Sequence, residues 1–588
     1  MWRTPPPGLG ACLAARFVVS SLVRPIVSFF DFSVKQAGIA LEFDFVIVGA
    51  GSAGCVLANR LSADGRYSVA VLEAGERDWY PWIHVPVGYF RTMGNPRTDW
   101  SYQTEPDPGL NGRSIKWPRG KVLGGSSSIN GLLYVRGQPQ DYDTWAQMGN
   151  PGWSWRDVLP LFKRAESYPG GDPELRGRDG PLGVSDSAVR WEVVDRWCEA
   201  AVNAGYPWNP DYNGATQEGV SRFQMTIRNG RRCSAAVAYL HPAMKRPNLT
   251  VLTRCAASRI LFEGKRAVGV AAWHRGRMVD IRARREVILS AGAIASPQLL
   301  MVSGVGDADM LRPHGIEMVH ELKGVGRNLQ DHLQARPVYK VSLPTINTQI
   351  NGLLRQLMIG LEYLTTRGGP MAMAASLGTA FLKTRPELEV PDIQFHVQPF
   401  STDKMGTDPH PFDAFTTSVL QLRPESAGHL ELRSADMRDH PRIFPNYLAT
   451  RTDRDVLVEG IRIARKIIRH SPIAEVVTEE HAPGAAIADE DYEGLLDWAR
   501  ETSTTIYHPT GTAKMGNDPM AVVDARLRVH GLAGLRVADA SIMPVIVSGN
   551  TNAPTIMIGE KASDLVLEDA QAASRPQEVD SAAEAVAP

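Results

Sequence analysis

A glycine-rich turn between an apolar strand and a helix is the segment of this sequence with the clearest chemistry. Gly49, Gly51 and Gly54 follow the apolar run Phe43–Val48 and precede residues with helical apolar spacing. Such glycines allow a tight turn, close approach of the backbone to a pyrophosphate, and close packing of the helix on the strand. A helix that begins near Ser52 also offers unpaired N–H groups to phosphates. We therefore expect Gly49, Gly51, Ser52 and Gly54 to bind a dinucleotide.

An acidic residue at the end of the next strand supports this site. Glu73 closes the apolar run Tyr67–Leu72 and lies 22 positions after Gly51. An acid at that point accepts hydrogen bonds from adenosine ribose hydroxyls and disfavours a 2′-phosphate. The order of strand, glycines, helix, strand and acid favours a dinucleotide site over a glycine-rich turn without a ligand. It does not distinguish FAD from NAD.

The remaining pattern predicts two lobes. Glu286–Ser290 and Leu535–Asp539 are short apolar runs typical of buried strands, so the first sheet is revisited late in the chain. Leu353–Tyr363 has the spacing of an amphipathic helix and Asp392–Val397 that of a strand. We predict an α/β fold with a Rossmann-like cofactor domain built from discontinuous segments, and an α+β substrate-binding domain with an antiparallel sheet. The predicted segments are 41–155, 225–335 and 500–569 for the first domain, and 156–224 and 336–499 for the second.

Composition excludes several classes of protein. A chain of 588 residues exceeds the size at which one hydrophobic core stops growing. Lys and Arg number 63 and Asp and Glu number 64, so the broad positive field of a nucleic-acid-binding surface is missing. The five cysteines form no Cys-x-x-Cys pair, which argues against a disulfide framework or a zinc site and favours a reducing compartment. We expect no nucleic-acid partner and no metal.

The two ends of the chain differ from the rest. Residues 1–40 are rich in small and apolar residues and carry no acid before Asp31. Arg16, Arg24 and Pro25 interrupt the apolar run, which excludes a spanning helix but leaves a targeting segment, a membrane-surface helix or an unstructured extension open. Residues 570–588 consist largely of Ala, Ser, Pro and Glu, and we predict that this tail is disordered.

Four further motifs lie in order along the chain. They are Gly120–Gly131 (GKVLGGSSSING), Gly292–Gly306 (GAIASPQLLMVSGVG), Tyr507–Thr512 (YHPTGT) and Gly549–Pro554 (GNTNAP). Together with the glycine turn they resemble the glucose-methanol-choline (GMC) oxidoreductases, especially the choline-dehydrogenase-like and alcohol-dehydrogenase-like members. The resemblance extends from about Phe43 to Leu567. It implies FAD as the cofactor and oxidation of an alcohol as the reaction.

The first of these motifs is expected to contact the flavin. Paired glycines at Gly124 and Gly125 let the backbone approach a flat isoalloxazine ring, and Asn130 can bond to its rim or to the pyrophosphate. A serine-rich surface loop is the alternative. Some family members attach FAD covalently through a histidine just before this asparagine, whereas this sequence has Ile129 there. The resemblance therefore implies non-covalent FAD.

The later motifs supply the other expected cofactor contacts. By similarity, Asp539 holds the ribityl or pyrophosphate region of FAD. Pro554 and Thr555 open a helix whose N-terminus points at the pyrimidine side of the flavin, where negative charge appears on reduction. Ser296-Pro297 predicts a helix start without a ligand contact.

His508 and Asn552 are the predicted catalytic pair. An imidazole that titrates near neutrality can accept a hydroxyl proton, and the family places this histidine beside a second His or Asn over the flavin. Asn552 lies 44 positions after His508; its amide can bond the substrate oxygen but cannot act as a base. The implied reaction is proton removal by His508 with hydride transfer from the carbinol carbon to flavin N5.

The substrate and the electron acceptor stay open at this point. An aliphatic or aromatic primary alcohol is the first expectation and choline the second; a hydroxynitrile lyase that keeps FAD without net redox chemistry is the alternative from another class. The reduced flavin requires a quinone, a redox protein or oxygen as acceptor. We expect a cytoplasmic protein with peripheral association to a membrane through that acceptor.

Overall fold

The computed structural model describes residues 41–403 and 408–573, and a seven-stranded sheet organises the first lobe. Its strands are Leu41–Val48, Val69–Glu73, Leu249–Thr253, Cys255–Glu263, Arg266–His274, Arg277–Leu289 and Leu535–Val537. Leu41–Val48 pairs in parallel with Val69–Glu73 on one side and with Arg277–Leu289 on the other. The central strands are near-continuous apolar runs because both faces of a parallel sheet are covered.

Arg277–Leu289 joins the early and late parts of the chain. Its first half pairs antiparallel with Arg266–His274, and Val287–Leu289 pairs in parallel with Leu535–Val537. The strand is longer than the predicted run Glu286–Ser290, because its first half belongs to a hairpin rather than to the parallel sheet. The predicted return of the chain to the first sheet is confirmed.

The second sheet has eight strands and every pairing in it is antiparallel. Its strands are Gly219–Arg222, Leu333–Ala335, Val338–Val341, Gly378–Leu382, Ile393–Gln398, Ala414–Gln421, Val477–Ala482 and Thr504–Thr505. Leu333–Ala335 and Thr504–Thr505 thus lie in this sheet, although the sequence assigned both segments to the cofactor domain. The described residues from Leu41 onward form one compact unit.

The central strand Ile393–Gln398 is buried at every position. Alternate side chains of a strand point to opposite faces. Phe395 packs against Trp197 of helix Glu192–Asn203, with ring centroids 5.7 Å apart. His396 points the other way and lines an internal cavity. One strand therefore connects the helical layer to the wall of the candidate site.

Helices cover both sheets. The longer ones are Ser52–Leu61, Pro139–Gln147, Trp155–Ala165, Glu192–Asn203, Gly292–Val302, Leu353–Thr366, Arg451–Ile468, Tyr492–Thr502 and Asn552–Ala572. The shorter ones are Pro81–His84, Tyr89–Thr92, His241–Ala243, Ala308–Leu311 and Ile346–Gln349. Two-stranded ribbons are Tyr102–Gln103 with Lys116–Trp117, Glu166–Ser167 with Leu182–Gly183, Ser185–Asp186 with Gln224–Met225, Ile227–Arg228 with Arg231–Arg232, Val305–Gly306 with His320–Glu321, and His429–Glu431 with Arg442–Phe444. Within the described ranges, no helix combines the length and the hydropathy needed to cross a bilayer.

Helix Gly292–Val302 corrects one prediction. It begins four residues before Ser296, so Pro297 lies inside the helix rather than at its start. A proline has no N–H to donate, which leaves the carbonyl of Ala293 without its helical partner. The hydroxyl of Thr512 donates to that carbonyl at 2.6 Å. The proline is tolerated because another segment satisfies the free carbonyl.

The ends of the chain are only partly described. Helix Asn552–Ala572 continues through the first residues of the segment predicted as a tail. The predicted extension 1–40, with Cys12, and the tail residues 574–588 lie outside the described residues. The other four cysteines are free and buried.

Candidate active site

The glycine turn has the geometry expected for dinucleotide binding. Gly49 has φ +102°, and a Cβ at this position would lie 2.4 Å from the carbonyl oxygen of Ser290. A Cβ at Gly54 would lie 1.9 Å from the carbonyl oxygen of Gly49, so only glycine lets the helix approach the strand here. Gly49, Gly51 and Ser52 line the cavity, whereas Gly54 serves the packing of the helix and does not line it.

Glu73 lies where the sequence predicts it, at the end of its strand and in the cavity wall. Its carboxylate accepts hydrogen bonds from the backbone N–H groups of Ala50 at 3.0 Å and Gly75 at 2.8 Å. Burial raises the pKa of Glu73 to about 7. The carboxylate is thus fixed against the glycine turn, and its remaining acceptor sites are available to ribose hydroxyls.

The Gly124–Gly125 loop packs directly on the glycine turn. The N–H of Gly124 donates to the carbonyl of Ala50 at 2.7 Å. A Cβ at Gly125 would lie 2.7 Å from Cα of Gly51, and Gly124 and Gly125 both have positive φ. Gly125 lines the cavity and Gly124 does not. Gly125 therefore forms part of the cavity wall, whereas Gly124 allows the turn.

Asn130 lines the same cavity with its orientation fixed. The buried guanidinium of Arg232 donates to its side-chain oxygen at 2.6 Å, and the N–H of Leu132 donates to the same atom at 3.1 Å. Because this oxygen is occupied, the amide N–H2 group of Asn130 is left to donate to a ligand.

Asp539 is saturated by protein donors. Its carboxylate accepts from the N–H and hydroxyl of Ser541 at 2.8 and 2.6 Å, from the N–H of Gly292 at 2.8 Å, and from the hydroxyl of Ser296 at 2.6 Å. It lines the cavity and joins the end of strand Leu535–Val537 to the start of helix Gly292–Val302. Asp539 therefore fixes two backbone segments of the cofactor wall.

Two helix N-termini end at the cavity without side-chain caps. Gly51 precedes helix Ser52–Leu61 and Thr551 precedes helix Asn552–Ala572, and neither N-terminus is capped by a side-chain hydrogen bond. The free N–H groups of such termini favour phosphate or a developing negative charge. Thr555 lines the cavity, while Pro554 occupies the first turn without lining it.

These residues surround one cavity of about 440 Å³. Gly51, Glu73 and Asp539 line it, and so do His508 and Asn550. The glycine backbone, the fixed carboxylate and the two uncapped helix N-termini are the groups that a flavin dinucleotide requires. The residues present therefore fit FAD, with the reactive side chains in the same cavity.

His508 is buried and hydrogen-bonded on both ring nitrogens. Its Nδ1 lies 3.0 Å from Nδ1 of His332, and the Nε2 of His332 lies 2.9 Å from the carbonyl oxygen of Leu422. A carbonyl only accepts, so neutral His332 carries its proton on Nε2 and presents a lone pair at Nδ1. His508 must then donate from Nδ1. Its Nε2, which faces Asn550, is left as a lone pair.

The hydrogen-bond partner of His508 is Asn550 rather than Asn552, although both asparagines line the cavity and their catalytic roles stay predictions. The side-chain nitrogen of Asn550 lies 3.2 Å from Nε2 of His508. Asn552, two positions later, accepts a hydrogen bond from the hydroxyl of Ser52 at 2.9 Å. Asn552 lies in the first turn of the last helix, so its side chain points at the glycine turn instead of at the histidine. The partner of His508 is therefore Asn550.

Two charged residues hold the backbone around His508. The carboxylate of Asp331 accepts from the N–H of His508 at 2.7 Å, and also from the hydroxyls of Thr505 and Tyr447. The guanidinium of Arg119 donates to the carbonyl of Tyr507 at 2.7 Å. Tyr507 has φ +72°, which costs a non-glycine residue about 1–3 kcal/mol. The surroundings thus impose the conformation that places the imidazole.

Burial controls protonation throughout this cluster. It lowers the pKa of His508 well below 6.5, and His332, His396 and Arg119 lower the pKa further. Burial also lowers the pKa of His332 to about 4 and that of His396 to about 3, and raises the pKa of Asp331 to about 6. His508 is therefore neutral at physiological pH, as a proton acceptor must be.

The wall beyond His508 is polar but carries no free carboxylate. Gln334, His396 and Gln398 each have a buried polar atom without a protein partner: Oε1, Nε2 and Oε1 respectively. Among the described residues that line the cavity, the carboxylates are those of Glu73 and Asp539 alone. The cationic residues of the lining are Arg119, Lys121 and Arg438.

The aromatic residues between Trp79 and Trp100 separate into two groups. Trp100 lines the cavity, and Nζ of Lys121 lies 4.5 Å from its ring centroid. Trp79 is 68% exposed, and Tyr89 is buried outside the lining. His332 and Asn550 were missed. His332 has no sequence signal, because it lies 176 positions from His508 and meets it through strand pairing.

Comparisons with known proteins agree with this geometry. Models of the GMC oxidoreductase family match residues 43–334 with their N-terminal part and residues 424–559 with their C-terminal part. The fold and the site define a flavin-dependent oxidoreductase that acts on CH–OH groups. The chain belongs to the GMC oxidoreductase family.

Three curated relatives cover nearly the whole chain. The mitochondrial choline dehydrogenase of Mus musculus is 44% identical over 535 residues, 89% of either chain. The oxygen-dependent choline dehydrogenase of Brucella anthropi is 45% identical over 90% of this chain and 96% of its own length. The alcohol dehydrogenase [acceptor] of Pseudomonas putida is 42% identical over 90% and 97%.

Solved structures share the fold. Pyridoxine 4-oxidase from Mesorbium loti has a TM-score of 0.81 and 32% identity, over 89% of this chain and 98% of its own. Formate oxidase from Aspergillus oryzae RIB40 has a TM-score of 0.85 and 27% identity, over 91% and 100%. The chain therefore carries out FAD-dependent oxidation of an alcohol, as its sequence predicted.

Proposed function

We propose that the protein oxidises an uncharged primary alcohol to the aldehyde, with His508 as the base. The observation that carries this proposal is the lone pair on Nε2 of His508, which faces the cavity beside the amide of Asn550. The alcohol O–H takes the place of the Asn550 amide at Nε2, and its proton moves to this nitrogen as the C–H bond breaks. The hydroxyl proton goes to His508 and the hydride of the carbinol carbon goes to the cofactor. The products are therefore the aldehyde, protonated His508 and a reduced cofactor.

Asn550 and His332 support this transfer from opposite sides of the imidazole. The amide N–H2 group of Asn550 donates to the substrate oxygen while negative charge develops on it. The Nδ1 lone pair of His332 accepts the N–H of His508 at 3.0 Å and keeps that hydrogen bond after His508 becomes cationic. His332 thus orients the base and fixes its tautomer.

The cofactor is held without a covalent bond in this proposal. FAD, when bound, accepts the hydride from the carbinol carbon. Ile129, a buried aliphatic residue in the cavity wall, offers no nucleophile at the position where some relatives carry the attaching histidine. Gly51, Glu73 and Asn130 supply the contacts that replace such a bond.

The charge of the cavity supports an uncharged substrate. Both lining carboxylates already accept hydrogen bonds from the protein, and Lys121 occupies the ring face of Trp100 that a trimethylammonium group would need. Of the lining cations, Arg438 is paired with Asp436 and Lys121 lies near Glu73. Arg119, which donates to the carbonyl of Tyr507 beside His508, disfavours a positive substrate. The unpaired atoms of Gln334 and Gln398 instead offer acceptors to a second polar group on a neutral alcohol.

Choline is the second candidate. The observation in its favour is the 44–45% identity to choline dehydrogenases over about nine-tenths of the chain. Pseudomonas putida alcohol dehydrogenase [acceptor], at 42%, supports a neutral alcohol about as strongly. Sequence similarity alone therefore favours neither substrate, and the charge of the cavity favours the neutral one.

A quinone, a redox protein or oxygen then reoxidises the cofactor. We propose that a membrane quinone does so, with the protein on the cytoplasmic side and peripherally attached. The anaerobic flavin spectrum of the purified protein tests the proposed reaction and its substrate. n-Alkanols and benzyl alcohol are expected to bleach the roughly 450 nm band, and choline is not. Bleaching by choline alone would reverse the substrate assignment. No bleaching of a chemically reducible flavin would favour a lyase.

A further inference from the structure

Helix Leu353–Thr366 presents an apolar face to solvent. Leu353, Leu354, Leu357, Met358, Leu361 and Leu364 are between 48% and 72% exposed. At 3.6 residues per turn these six positions fall within an arc of about 140°. An apolar stripe of this width normally faces a protein core. Here it is a continuous outward surface of large aliphatic side chains.

The helix contacts the rest of the protein through the side that carries Tyr363. Tyr363, on the opposite side, is buried, and its hydroxyl donates to the carbonyl of Gly230 at 2.9 Å. A Cβ at Gly230 would lie 2.4 Å from the carbonyl oxygen of Arg367, so hairpin Ile227–Arg232 packs tightly against the helix end. The leucine face is therefore turned outward by specific contacts on the other side, not by a lack of packing.

Four exposed arginines lie on this helix or on the hairpin against which it packs. Arg228 and Arg231 are exposed on the hairpin, and Arg355 and Arg367 are exposed on the helix and at its end. Within residues 41–403 and 408–573, no carboxylate lies within ion-pair distance of any of the four guanidinium groups. Burial raises the pKa of the Tyr363 hydroxyl, and Arg231 lies close enough to Tyr363 for its charge to act in the opposite direction and lower this pKa. The hairpin therefore carries positive charge beside the helix. The surface therefore combines an apolar helix face with positive charges on the helix and on the adjoining hairpin.

We propose that this surface, formed by helix Leu353–Thr366 and the hairpin arginines, binds an anionic phospholipid membrane. Interfacial helices combine an aliphatic face that enters the acyl boundary with arginines that meet lipid phosphates. The aliphatic composition favours lipid over a protein partner, because binding hot spots on proteins are rich in Trp, Tyr and Arg and poor in Leu. The like charges of these arginines disfavour pairing with a second copy of the same surface.

The proposed membrane-binding helix lies only a few residues before part of the cavity wall in the sequence. The helix is followed directly by the turn Pro370–Ala372 and then by Ala375 and Ser376, which line the cavity. A functional role for this placement rests on the proposed alcohol oxidation, because it matters only if a lipid-soluble acceptor reaches the cofactor. The membrane surface itself does not depend on the reaction.

Co-sedimentation of the full-length flavoprotein with vesicles tests the proposal. Vesicles of phosphatidylcholine mixed with phosphatidylglycerol are compared with phosphatidylcholine alone. The triple variant Leu354→Gln/Leu357→Gln/Leu361→Gln is expected to lose anionic-vesicle binding by about tenfold or more, since each change removes apolar area from the lipid contact. Arg228→Gln/Arg231→Gln is expected to weaken binding to the anionic vesicles selectively.

A matched control changes exposed apolar residues elsewhere. Met278→Gln/Met318→Gln alters two exposed methionines outside this surface and is expected to bind vesicles like the unchanged protein. Alcohol turnover with a soluble artificial acceptor should be equal in all variants, which separates this test from the proposed function. Undiminished vesicle binding by the leucine variant would overturn the proposal. Absence of vesicle binding by the unchanged protein, with a concentration-dependent dimer that the leucine variant abolishes, would assign the surface to a second copy.

Discussion

His332 and His508 face each other through their Nδ1 atoms, 3.0 Å apart, with their rings nearly perpendicular at 85°. Only one of two facing nitrogens can carry the proton. The bond from Nε2 of His332 to the carbonyl of Leu422 decides which one, because the carbonyl requires the proton on that side. A backbone carbonyl just after strand Ala414–Gln421 therefore determines where the reactive lone pair of His508 lies.

Replacing His332 should impair catalysis without emptying the flavin site. In His332→Leu the imidazole of His508 loses its only acceptor at Nδ1, so the tautomer with the proton on Nε2 becomes available. We expect kcat/KM for the preferred alcohol to fall by about 10²-fold or more, by analogy with the loss of an orienting group in other histidine-based sites. Steady-state kinetics with the flavin content measured in parallel checks this.

His332→Asn is the conservative variant. An asparagine can present its amide oxygen near the position of Nδ1 and accept from His508, so part of the lost activity should return. Equal activity of the Leu and Asn variants would show that the residue only fills space. An unchanged kcat/KM in both would remove His332 from the mechanism.

Substitution of Asn550 should impair catalysis, whereas substitution of Asn552 should impair retention of the cofactor. Asn550→Ala removes the donor beside Nε2 of His508, and we expect kcat to fall by about 10²-fold, the usual effect of losing one donor to a developing oxyanion. Asn552→Ala removes the acceptor of the Ser52 hydroxyl and is expected to affect flavin retention more than kcat. His508→Ala, the reference for loss of the base, should cost about 10²–10⁴-fold. The reverse order for the two asparagines would restore the pairing predicted from the sequence.

The two asparagines show which features of the site could be predicted from the sequence and which could not. Gly49, Gly51 and Glu73 could be placed because the strand, turn and helix that position them are contiguous in sequence. Asn550 and Asn552 differ by two positions at a loop that enters a helix, where spacing does not reveal side-chain direction. Asp331 and His332 could not be found, because they reach His508 through the pairing of Leu333–Ala335 with Thr504–Thr505. Long-range strand pairing leaves no local pattern.

The pH dependence of the reaction should reflect the lowered pKa of His508. The base acts only when neutral, and burial moves its pKa well below 6.5. With respect to this group, kcat/KM should be constant from about pH 6.5 upward and should fall about tenfold per pH unit below the folded pKa. A slow alcohol should be used so that chemistry limits the rate. An acid limb centred at or above pH 7 would contradict the assignment.

A single carboxylate in the cavity should change the substrate preference. Gln398 lines the cavity with its Oε1 buried and unpaired, and glutamate has almost the same shape. In Gln398→Glu the new negative charge attracts a cationic substrate and does not repel a neutral alcohol. We expect KM for choline to fall by about tenfold, the effect of about 1.4 kcal/mol of added attraction. Gln334→Glu, at another unpaired amide of the same wall, is the matched comparison. Failure of both to improve choline binding would argue against charge as the basis of selectivity.

Cofactor affinity should depend on pH through Glu73. Burial raises its pKa to about 7, so the carboxyl is protonated below that pH and charged above it when no ligand is present. The charged form offers more acceptor sites to ribose hydroxyls, and FAD binding should therefore strengthen as the pH rises through about 7 and weaken below it. Fluorescence of released flavin, measured between pH 6 and pH 8, reports the bound fraction. Glu73→Gln, which cannot titrate, should bind more weakly at high pH and show no such dependence. A similar pH dependence in the glutamine variant would show that another group controls release, and a pH-independent affinity in the unchanged protein would show that Glu73 remains charged throughout.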